Sequence, residues 1–484
     1  MKPAKLCVTV TANTMAELRT RRDAAADADI VELRLDTVSD PSAAGALADR
    51  TKPVIVTCRH KDEGGFFQGS EEERRRILSD ALTGGAEYVD VEWNRACADL
   101  IQDSRGQRIV LSHHDFTGVP RDLGEKARAM LGSGADVVKL SVMANRLTDN
   151  LALRDLGRGT ASQMVLVGMG LAGLPSRVLA SWMGSSWTYA GDGVAPGQVP
   201  SSQMLGQFRF HDIGPRTAVF GVAGKPVTHS VSPAMHNAAF AAAHFDAVYL
   251  PLAAADFADF STFATAAGLS GASVTAPFKV SAFEFADECD PVSRRIQSVN
   301  TLRRQNNRWL GCNTDVTGFL APLQSTMRLP GLRATILGAG GSARSVSVAL
   351  TSAGVEVSLS ARRRAQAEAI ATLTGATIAT WPPEPGSWDL LVNATPVGTS
   401  PDGSSPLPEG YQFPDGGLVY DLVYNPPITP LLRDAADAGC RTIGGLDMLV
   451  AQAQAQFEWW TGGRSSDRVM RDAAMNQLHT LEKQ

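Results

Sequence analysis

The sequence predicts an α/β protein of more than one domain: an N-terminal (β/α)8 barrel, then a two-lobed α/β region. Three observations carry this. The chain has 484 residues, more than one ordinary domain holds. Short β-branched apolar runs recur roughly every 25–30 residues in the first half, with helical patterns between them. In the second half an apolar run leads into GAGGSA and then a helical pattern, the strand–turn–helix of a nucleotide lobe.

The first-half strands come in order as KLCVTV (5–10), IVELRL (30–35), PVIVTC (53–58), YVDVEW (88–93), RIVLSH (108–113), DVVKLS (136–141), QMVLVG (163–168) and SWTYAG (186–191). Alternating strand and helix argues for a parallel sheet covered by helices, and eight such units argue for a barrel. Polar residues gather at the strand C-terminal ends: Glu32 and Arg34, Arg59, Asp90 and Glu92, then His113, His114 and Asp115. That face of a barrel carries the active site. In ADVVKLSVMA (135–144), Lys139 interrupts an otherwise apolar strand, where a charge needs a reason. Beside Arg34 and Arg59 its ammonium is expected to lose proton affinity, and a neutral amine adds to ketones to form an imine. His114 is the natural acid/base and Glu92 the group to orient its ring. Spacing leaves two reaction classes open, elimination by a dehydratase and C–C cleavage by a Schiff-base aldolase. The loop KDEGGFFQGSEEE predicts a capping box, Ser70 with Glu73, after a glycine-rich stretch near the barrel mouth.

FRFHDIGPR (208–216) lacks periodicity and marks the boundary. Beyond it, Ser230 and Ser232 are two apart on an expected extended segment, so both hydroxyls face one side. GASVTAPFKV, SVNTL and GCNTDVTGF supply Thr275, Lys279, Asn300 and Asp315. A Lys–Asp pair suits carbonyl reduction, with the lysine exchanging the proton while a hydride arrives. In TILGAGGSARS, Gly338, Gly340 and Ala343 fit the pattern that seats a pyrophosphate on a helix N-terminus. The next strand ends in Arg362, Arg363 and Arg364, where an NAD site carries an acid, so the expected cofactor is NADP(H). The loop SPDGSSPLPEGYQFPDGG (400–417) reads as turns with few contacts.

Composition narrows the classes. With 44% hydrophobic and 20% charged residues the chain buries real cores. A net charge of −5 without a basic stripe predicts neither a nucleic-acid nor a membrane partner. The N-terminus enters a strand pattern directly, and the six cysteines (7, 58, 97, 289, 312, 440) form no CxxC pair. Reduced thiols, no metal and a cytoplasmic location are expected. The sequence does not set the oligomeric state.

The ordered pieces IVELRLD, VTCR, YVDVEW, IVLSHHDF, VVKLSV and APGQV resemble type I 3-dehydroquinate dehydratases from residue 5 to about 210. The resemblance implies Lys139 as the imine-forming lysine, His114 as general acid/base and Glu92 as its partner. It implies Glu32, Arg34, Arg59, Arg177 and Gln198 as substrate contacts, Arg177 on the substrate carboxylate. Where that family reads SAPGQ, this chain has Val194. GKPVTHSVSPAMHN, VTAPFK, VNTL, GCNTDVTGF, GAGGSARS, NATPVGTSP, YDLVYNP and GGLDMLVAQAQAQFEWWTG resemble shikimate dehydrogenases over 217–484. This implies Lys279 and Asp315 as catalytic, and Ser230, Ser232, Thr275, Asn300, Tyr424 and Gln452 on substrate. Along NADP(H) it implies Gly338, Ala339, Gly340, Gly341, Ala343, Arg362, Arg363, Thr395 and Gly445. Ser273 replaces that family's usual Asn, and SARRR its common NRT. Both resemblances together imply one bifunctional chain of the shikimate pathway, which feeds aromatic amino acid biosynthesis. It would be lyase and oxidoreductase at once, dehydrating 3-dehydroquinate and then reducing 3-dehydroshikimate to shikimate. The expected domains are a barrel over 1–212, a substrate lobe over 217–325, a Rossmann-type NADP lobe over 326–445 and C-terminal helices over 446–484 that pack on the substrate lobe.

Overall fold

The structure, a computed structural model, describes residues 3–93 and 98–481, so Cys97 lies outside the described residues. These fall into two compact units. One runs to Val219 and includes Asp246–Gly268; the other holds Phe220–Phe245 and the chain from Leu269 onward.

The first unit is a parallel barrel of β1 (Lys5–Val10), β2 (Ile30–Arg34), β3 (Val54–Thr57), β4 (Tyr88–Glu92), β5 (Ile109–Asp115), β6 (Val137–Met143), β7 (Gln163–Met169) and β8 (Trp187–Ala190). All eight stand where the β-branched runs predict them. Hydrogen-bonded neighbours run β7-β6-β5-β4-β3-β2-β1-β8, and a parallel bridge, Met164–Ser185, brings the β8 end to β7. Period-two alternation explains both the core and the site. Ile30 and Val137 join Cys7, Ile55, Val110 and Val165 in one apolar cluster. Val31, Leu33, Val138 and Leu140 join a second cluster with helix residues such as Leu18, Leu78 and Leu153. Glu32 and Arg34 share the Ile30 face, and Lys139 the Val137 face. One end of the interior is therefore apolar and the strand C-terminal end is charged. The capping box forms as expected, Ser70 and Glu73 each accepting the other's backbone N–H.

The chain continues through β9 (Ala218–Ala223), β10 (Ala247–Leu252), β11 (Gly271–Val274), β12 (Glu288–Cys289), β13 (Thr301–Gln305) and β14 (Arg308–Cys312). In the second unit, β9, β11, β13, β14 and β12 neighbour one another in that order. Its other sheet holds β15 (Arg333–Leu337), β16 (Glu356–Ser360), β17 (Thr377–Ile378), β18 (Leu390–Asn393), β19 (Leu418–Asp421) and β20 (Arg441–Ile443). This sheet is wholly parallel with order β17-β16-β15-β18-β19-β20, the doubly wound pattern that reverses beside its first strand. The helix Gly445–Thr461 returns to pack on the helix Thr314–Thr326, and Trp460 Nε1 donates to Leu302 O at 3.0 Å. Gly318 permits this approach: a Cβ there would lie 2.5 Å from Gln452 Cβ.

The loop 400–417 departs from expectation. Leu407 is buried, Phe413 meets Trp388 edge-on, and Tyr411 Oη accepts from Trp388 Nε1 at 3.0 Å. The turn residues set its path, but its apolar members, Leu407, Tyr411 and Phe413, dock it. Among the described residues no helix is long and apolar enough to cross a membrane.

Candidate active sites

A cleft opens at the barrel mouth. Glu32, Arg34, Arg59, His114, Lys139, Arg177 and Gln198 all line it, together with Thr9, Glu63, Tyr189 and Val194. Lys139 is buried, with Nζ 3.1 Å from Asp90 Oδ2, 3.8 Å from Glu32 Oε1 and 4.3 Å above the Tyr189 ring. Crowding by Arg34 and Arg59 is thus not its nearest environment. Arg34 forks onto Asp36 at 2.7 and 2.8 Å, and Arg59 Nη1 lies 2.8 Å from Asp90 and 3.2 Å from Glu92. Burial opposes ionisation of Asp90, yet Arg59 and Lys139 outweigh it and hold this carboxyl far below the usual carboxylate range. Glu32 accepts hydroxyls from Thr9 and Thr57, each at 2.9 Å. Gln198 Nε2 donates to Thr9 Oγ1, and its Oε1 accepts the Ala195 N–H.

Glu92 is placed differently from expectation. It does not line the cleft or touch His114; it accepts from Arg74 at 2.5 Å and from the His60 N–H at 3.0 Å, beside Arg59. Two guanidiniums claim a buried carboxylate more strongly than a neutral imidazole does. The carboxylate on His114 is Glu63, with Oε2 2.8 Å from Nδ1 and 3.0 Å from the His114 backbone N. Burial, then Arg59 and Lys139, push the His114 imidazolium well below its usual range. Burial lifts Glu63 to about 7. Sequence reasoning missed Glu63 and Arg74. The signal for Glu63 was its place at the end of the loop after β3, beside Gly64 and Gly65.

Arg177, from the short helix Leu174–Val178, is 1% exposed. Its guanidinium donates to Tyr189 O at 3.3 Å and Pro196 O at 3.2 Å, while Nε is buried without a partner. No carboxylate among the described residues pairs with it. Burial alone pushes it down to about 10. A buried cation with spare donors beside a cleft is a receptor for an anion.

The second site lies among β11, β13 and the helix Thr314–Thr326. Lys279 Nζ is 2.5 Å from Asp315 Oδ2, and Asn300 Nδ2 donates to Asp315 Oδ1 at 2.6 Å. Asp315 is buried and sits in the first helical turn, where the helix dipole favours its charge. A solvated surface pair would not be buttressed this way. Thr314 N–H and Thr301 Oγ1 both donate to Asn300 Oδ1 and fix the amide. Ser230 and Ser232 do not share an extended strand: Ser232 opens the helix Ser232–Ala242, with Pro233 in its first turn, and its N–H donates to Ser230 Oγ. Ser273, in place of an Asn, donates to Gln456 Oε1 at 2.8 Å. Thr275 follows β11, Tyr424 follows β19 and is partly buried, and Gln452 is buried on the helix Gly445–Thr461. Gly445 opens that helix, where a Cβ would lie 2.4 Å from Leu422 O.

The nucleotide lobe carries the features a dinucleotide needs. The helix Gly341–Ser352 has Gly340 as N-cap and no side-chain cap, so its first N–H groups are free for a phosphate. A Cβ at Gly340 or Gly341 would meet nothing within 4 Å, whereas Gly338, at φ +109°, would meet Thr395 Cγ2 at 3.0 Å. Ala339 follows Gly338 in this turn, and Ala343, in the first turn of the helix, is buried. Arg362 and Arg363 are exposed just past β16. Among the described residues no cluster of three or more His, Cys, Asp or Glu could hold a metal.

Fold and sites together define a two-part enzyme, a (β/α)8 lyase joined to a dinucleotide-dependent oxidoreductase. The type I 3-dehydroquinase family matches residues 6–215. The shikimate dehydrogenase substrate binding domain matches 222–302, and the shikimate 5'-dehydrogenase C-terminal domain 445–475. A chloroplastic bifunctional 3-dehydroquinate dehydratase/shikimate dehydrogenase of Arabidopsis thaliana is 31% identical over 499 residues, 95% of this chain and 82% of the relative. A shikimate dehydrogenase (NADP(+)) of Moorella thermoacetica is 41% identical over 279 residues, covering 53% of this chain and 94% of its own. The crystal structure of a Thermus thermophilus shikimate 5-dehydrogenase with NADP(H) and shikimate shares 35% identity and a TM-score of 0.51, over 54% of this chain and 99% of that one. The chain belongs to the bifunctional 3-dehydroquinate dehydratase/shikimate dehydrogenase family. It dehydrates 3-dehydroquinate through a Schiff base and reduces the resulting 3-dehydroshikimate with NADPH.

Proposed function

We propose the following residue roles. Lys139 adds through Nζ to the substrate ketone, and loss of water gives the imine. His114 removes the proton beside the imine carbon, the hydroxyl group two carbons from it leaves as water, and hydrolysis frees the lysine. Asp90 and Glu32 offset the positive charge of the imine, and Arg177 holds the substrate carboxylate. The observation that carries this is the buried Arg177 guanidinium, with no carboxylate among the described residues paired to it and its Nε without a partner, lining the same cleft as Lys139. Arg34, Arg59 and Gln198 contact the remaining oxygens. Glu92 supports the site from below by fixing Arg59.

In the second half NADPH supplies the hydride. Gly338, Ala339, Gly340, Gly341, Ala343, Thr395 and Gly445 hold the dinucleotide, with Arg362 and Arg363 on its 2′-phosphate. Lys279 gives a proton to the carbonyl oxygen and Asp315 positions it. Ser230, Ser232, Thr275, Asn300, Tyr424 and Gln452 bind the ring oxygens and carboxylate. The reading divides the chain into domains at 212, 325 and 445. The partners are small molecules, with neither nucleic acid nor membrane, in keeping with the −5 net charge. A reducing cytoplasm fits the five unpaired described cysteines.

The test is the full chain with 3-dehydroquinate as sole carbon substrate, followed by NADPH absorbance, in wild type and in Lys139→Ala and Lys279→Ala. NADPH loss in wild type and in neither variant supports the assignment. Full turnover in either variant overturns that residue's role.

A further inference from the structure

Residues 246–268 belong by sequence to the dehydrogenase half, yet they lie in the first compact unit with the barrel. They form β10 and the helix Phe257–Ala267. That helix packs on the barrel helix Asp149–Arg158, and β10 packs on the short helix Leu174–Val178 that carries Arg177. The attachment centres on a buried carboxylate. Asp259, in the first turn of its helix, accepts the Leu147 N–H on Oδ2 at 2.9 Å. Its Oδ1 accepts the Thr148 N–H at 3.0 Å and the Thr148 hydroxyl at 2.8 Å. Arg146 pairs with Asp256 at 3.0 Å, and Arg154 Nη1 donates to Ala266 O at 2.8 Å. Arg146, Leu147 and Thr148 lie in the loop that follows β6, the strand of Lys139. Hydrogen bonds to a charged acceptor are the strong ones, so Asp259 holds this loop in one geometry.

A hydrogen-bonded path leads from the loop to the cleft. Asn150 is fully buried, and its Nδ2 donates to Leu147 O and to Ala172 O, each at 2.8 Å. One amide thus ties the loop after β6 to the loop after β7. Ala172 belongs to the turn Leu171–Gly173, which runs directly into Leu174–Val178. Ser176 closes the other side: its Oγ accepts the Gly168 N–H and donates to Gly173 O, both at 2.7 Å. A Cβ on Gly173 would lie 2.2 Å from Gly168 O, so the turn sits flat on the end of β7. The Arg177 guanidinium has carbonyl contacts of 3.2 and 3.3 Å, so its position follows from that of its helix.

We propose that Asp259 and Asn150 are positioning residues of the dehydratase. Asp259, supplied by the dehydrogenase half, sets the loop after β6, and Asn150 passes that setting to the helix of Arg177. This rests on the substrate-carboxylate role given to Arg177. The working body of the dehydratase then reaches past residue 212 to residue 268, and the fusion is part of the first active site rather than a tether. A shift of about 1 Å in Arg177 is enough to spoil a forked contact with a carboxylate. The carboxylate stands away from the reacting carbons and is held alike before and during the reaction, so the signature is in KM.

The experiment is a double-mutant cycle in the full-length chain. It measures dehydratase kcat and KM in wild type, Asp259→Asn, Asn150→Leu, Arg177→Met and the two doubles that include Arg177→Met. Asp259→Asn and Asn150→Leu should each raise the KM for 3-dehydroquinate about tenfold with kcat within about twofold. Shikimate oxidation by Asn150→Leu should match wild type. In the Arg177→Met background either change should lower kcat/KM by less than about twofold more, because the group they position is gone. Tenfold effects that persist there overturn the relay and leave the role of Arg177 standing. An unchanged KM in Asp259→Asn overturns the part given to the dehydrogenase segment. An unchanged kcat/KM in Arg177→Met alone overturns the Arg177 assignment beneath it. Should Asp259→Asn fail to fold, Thr148→Val decides in the same cycle: it deletes one hydrogen bond onto Asp259 and should raise KM about threefold, and no rise overturns the role of Asp259.

Discussion

Replacing Arg177 by Met tests the substrate carboxylate site through two readouts that should move in opposite directions. The guanidinium is 1% exposed and donates only to the Tyr189 and Pro196 carbonyls. Burial lowers its pKa from the usual guanidinium range to about 10. That fall is worth about 3 kcal/mol against the folded, charged form. The sign is fixed: below about pH 10 the group is charged, so the penalty is present in full at pH 7 and is relieved only as pH rises past that value. Met removes the penalty and nearly keeps the volume, but it leaves two carbonyls without a donor, about 1 kcal/mol each. The ligand-free variant should then be about 1 kcal/mol more stable, a rise of roughly 2–4 °C in the barrel's unfolding midpoint. Substrate binding should suffer. Losing one partner of a buried charge pair costs about 3–5 kcal/mol, so dehydratase kcat/KM should drop at least about 10²-fold. Thermal unfolding without ligand and initial rates with 3-dehydroquinate measure the two sides. A variant that is clearly less stable yet turns over normally would refute the reasoning.

Lys139→Ala should abolish dehydration and borohydride labelling while shikimate oxidation by the second half persists. Asp315→Asn, which removes the charge from Lys279 Nζ at 2.5 Å, should lower the reductase kcat by about 10²-fold or more, read as 3-dehydroshikimate accumulating from 3-dehydroquinate. Arg362→Ala with Arg363→Ala should raise the KM for NADPH about tenfold or more and leave that for NADH nearly unchanged. Asp259→Asn turns an amide toward the donors Leu147 N, Thr148 N and Ala255 N that the carboxylate now accepts at 2.9–3.0 Å. It should lower the stability of the first unit by about 2 kcal/mol in urea unfolding.

The barrel was legible because its strands are short, β-branched and regularly spaced. Its charged mouth was legible because period-two alternation puts Glu32, Arg34 and Lys139 on the interior face whatever the loops do. Ser230 and Ser232 were misread for the converse reason. Two-residue spacing has no fixed meaning until the backbone is known, and Pro233 starts a helix there. The loop 400–417 was misread because its glycines, prolines and serines dominate its composition. Leu407, Tyr411 and Phe413 reveal docking only once Trp388 is seen beside them.

Glu63 and Glu92 show what a linear pattern leaves out. Both are acids near strand ends, and spacing along β4 made Glu92 the natural partner for a histidine on β5. Competition decides otherwise. Arg74 reaches Glu92 from the helix Glu71–Thr83, and Arg59 meets it from the end of β3. Nothing in the spacing of Arg74 marks it as buried; it is 0% exposed, and it also donates to Cys58 O at 3.2 Å. With Glu92 taken by two cations, the imidazole is left to the acid that the Gly64–Gly65 turn brings over the mouth. A carboxylate on a rigid strand floor would serve better as a fixed counter-charge for Arg59, and one on a loop at the entrance better as a group that titrates with the reaction. The two acids divide along that line: Glu92 is sealed among guanidiniums, while Glu63 lines the cleft, lifted by burial into the range where catalytic protons move.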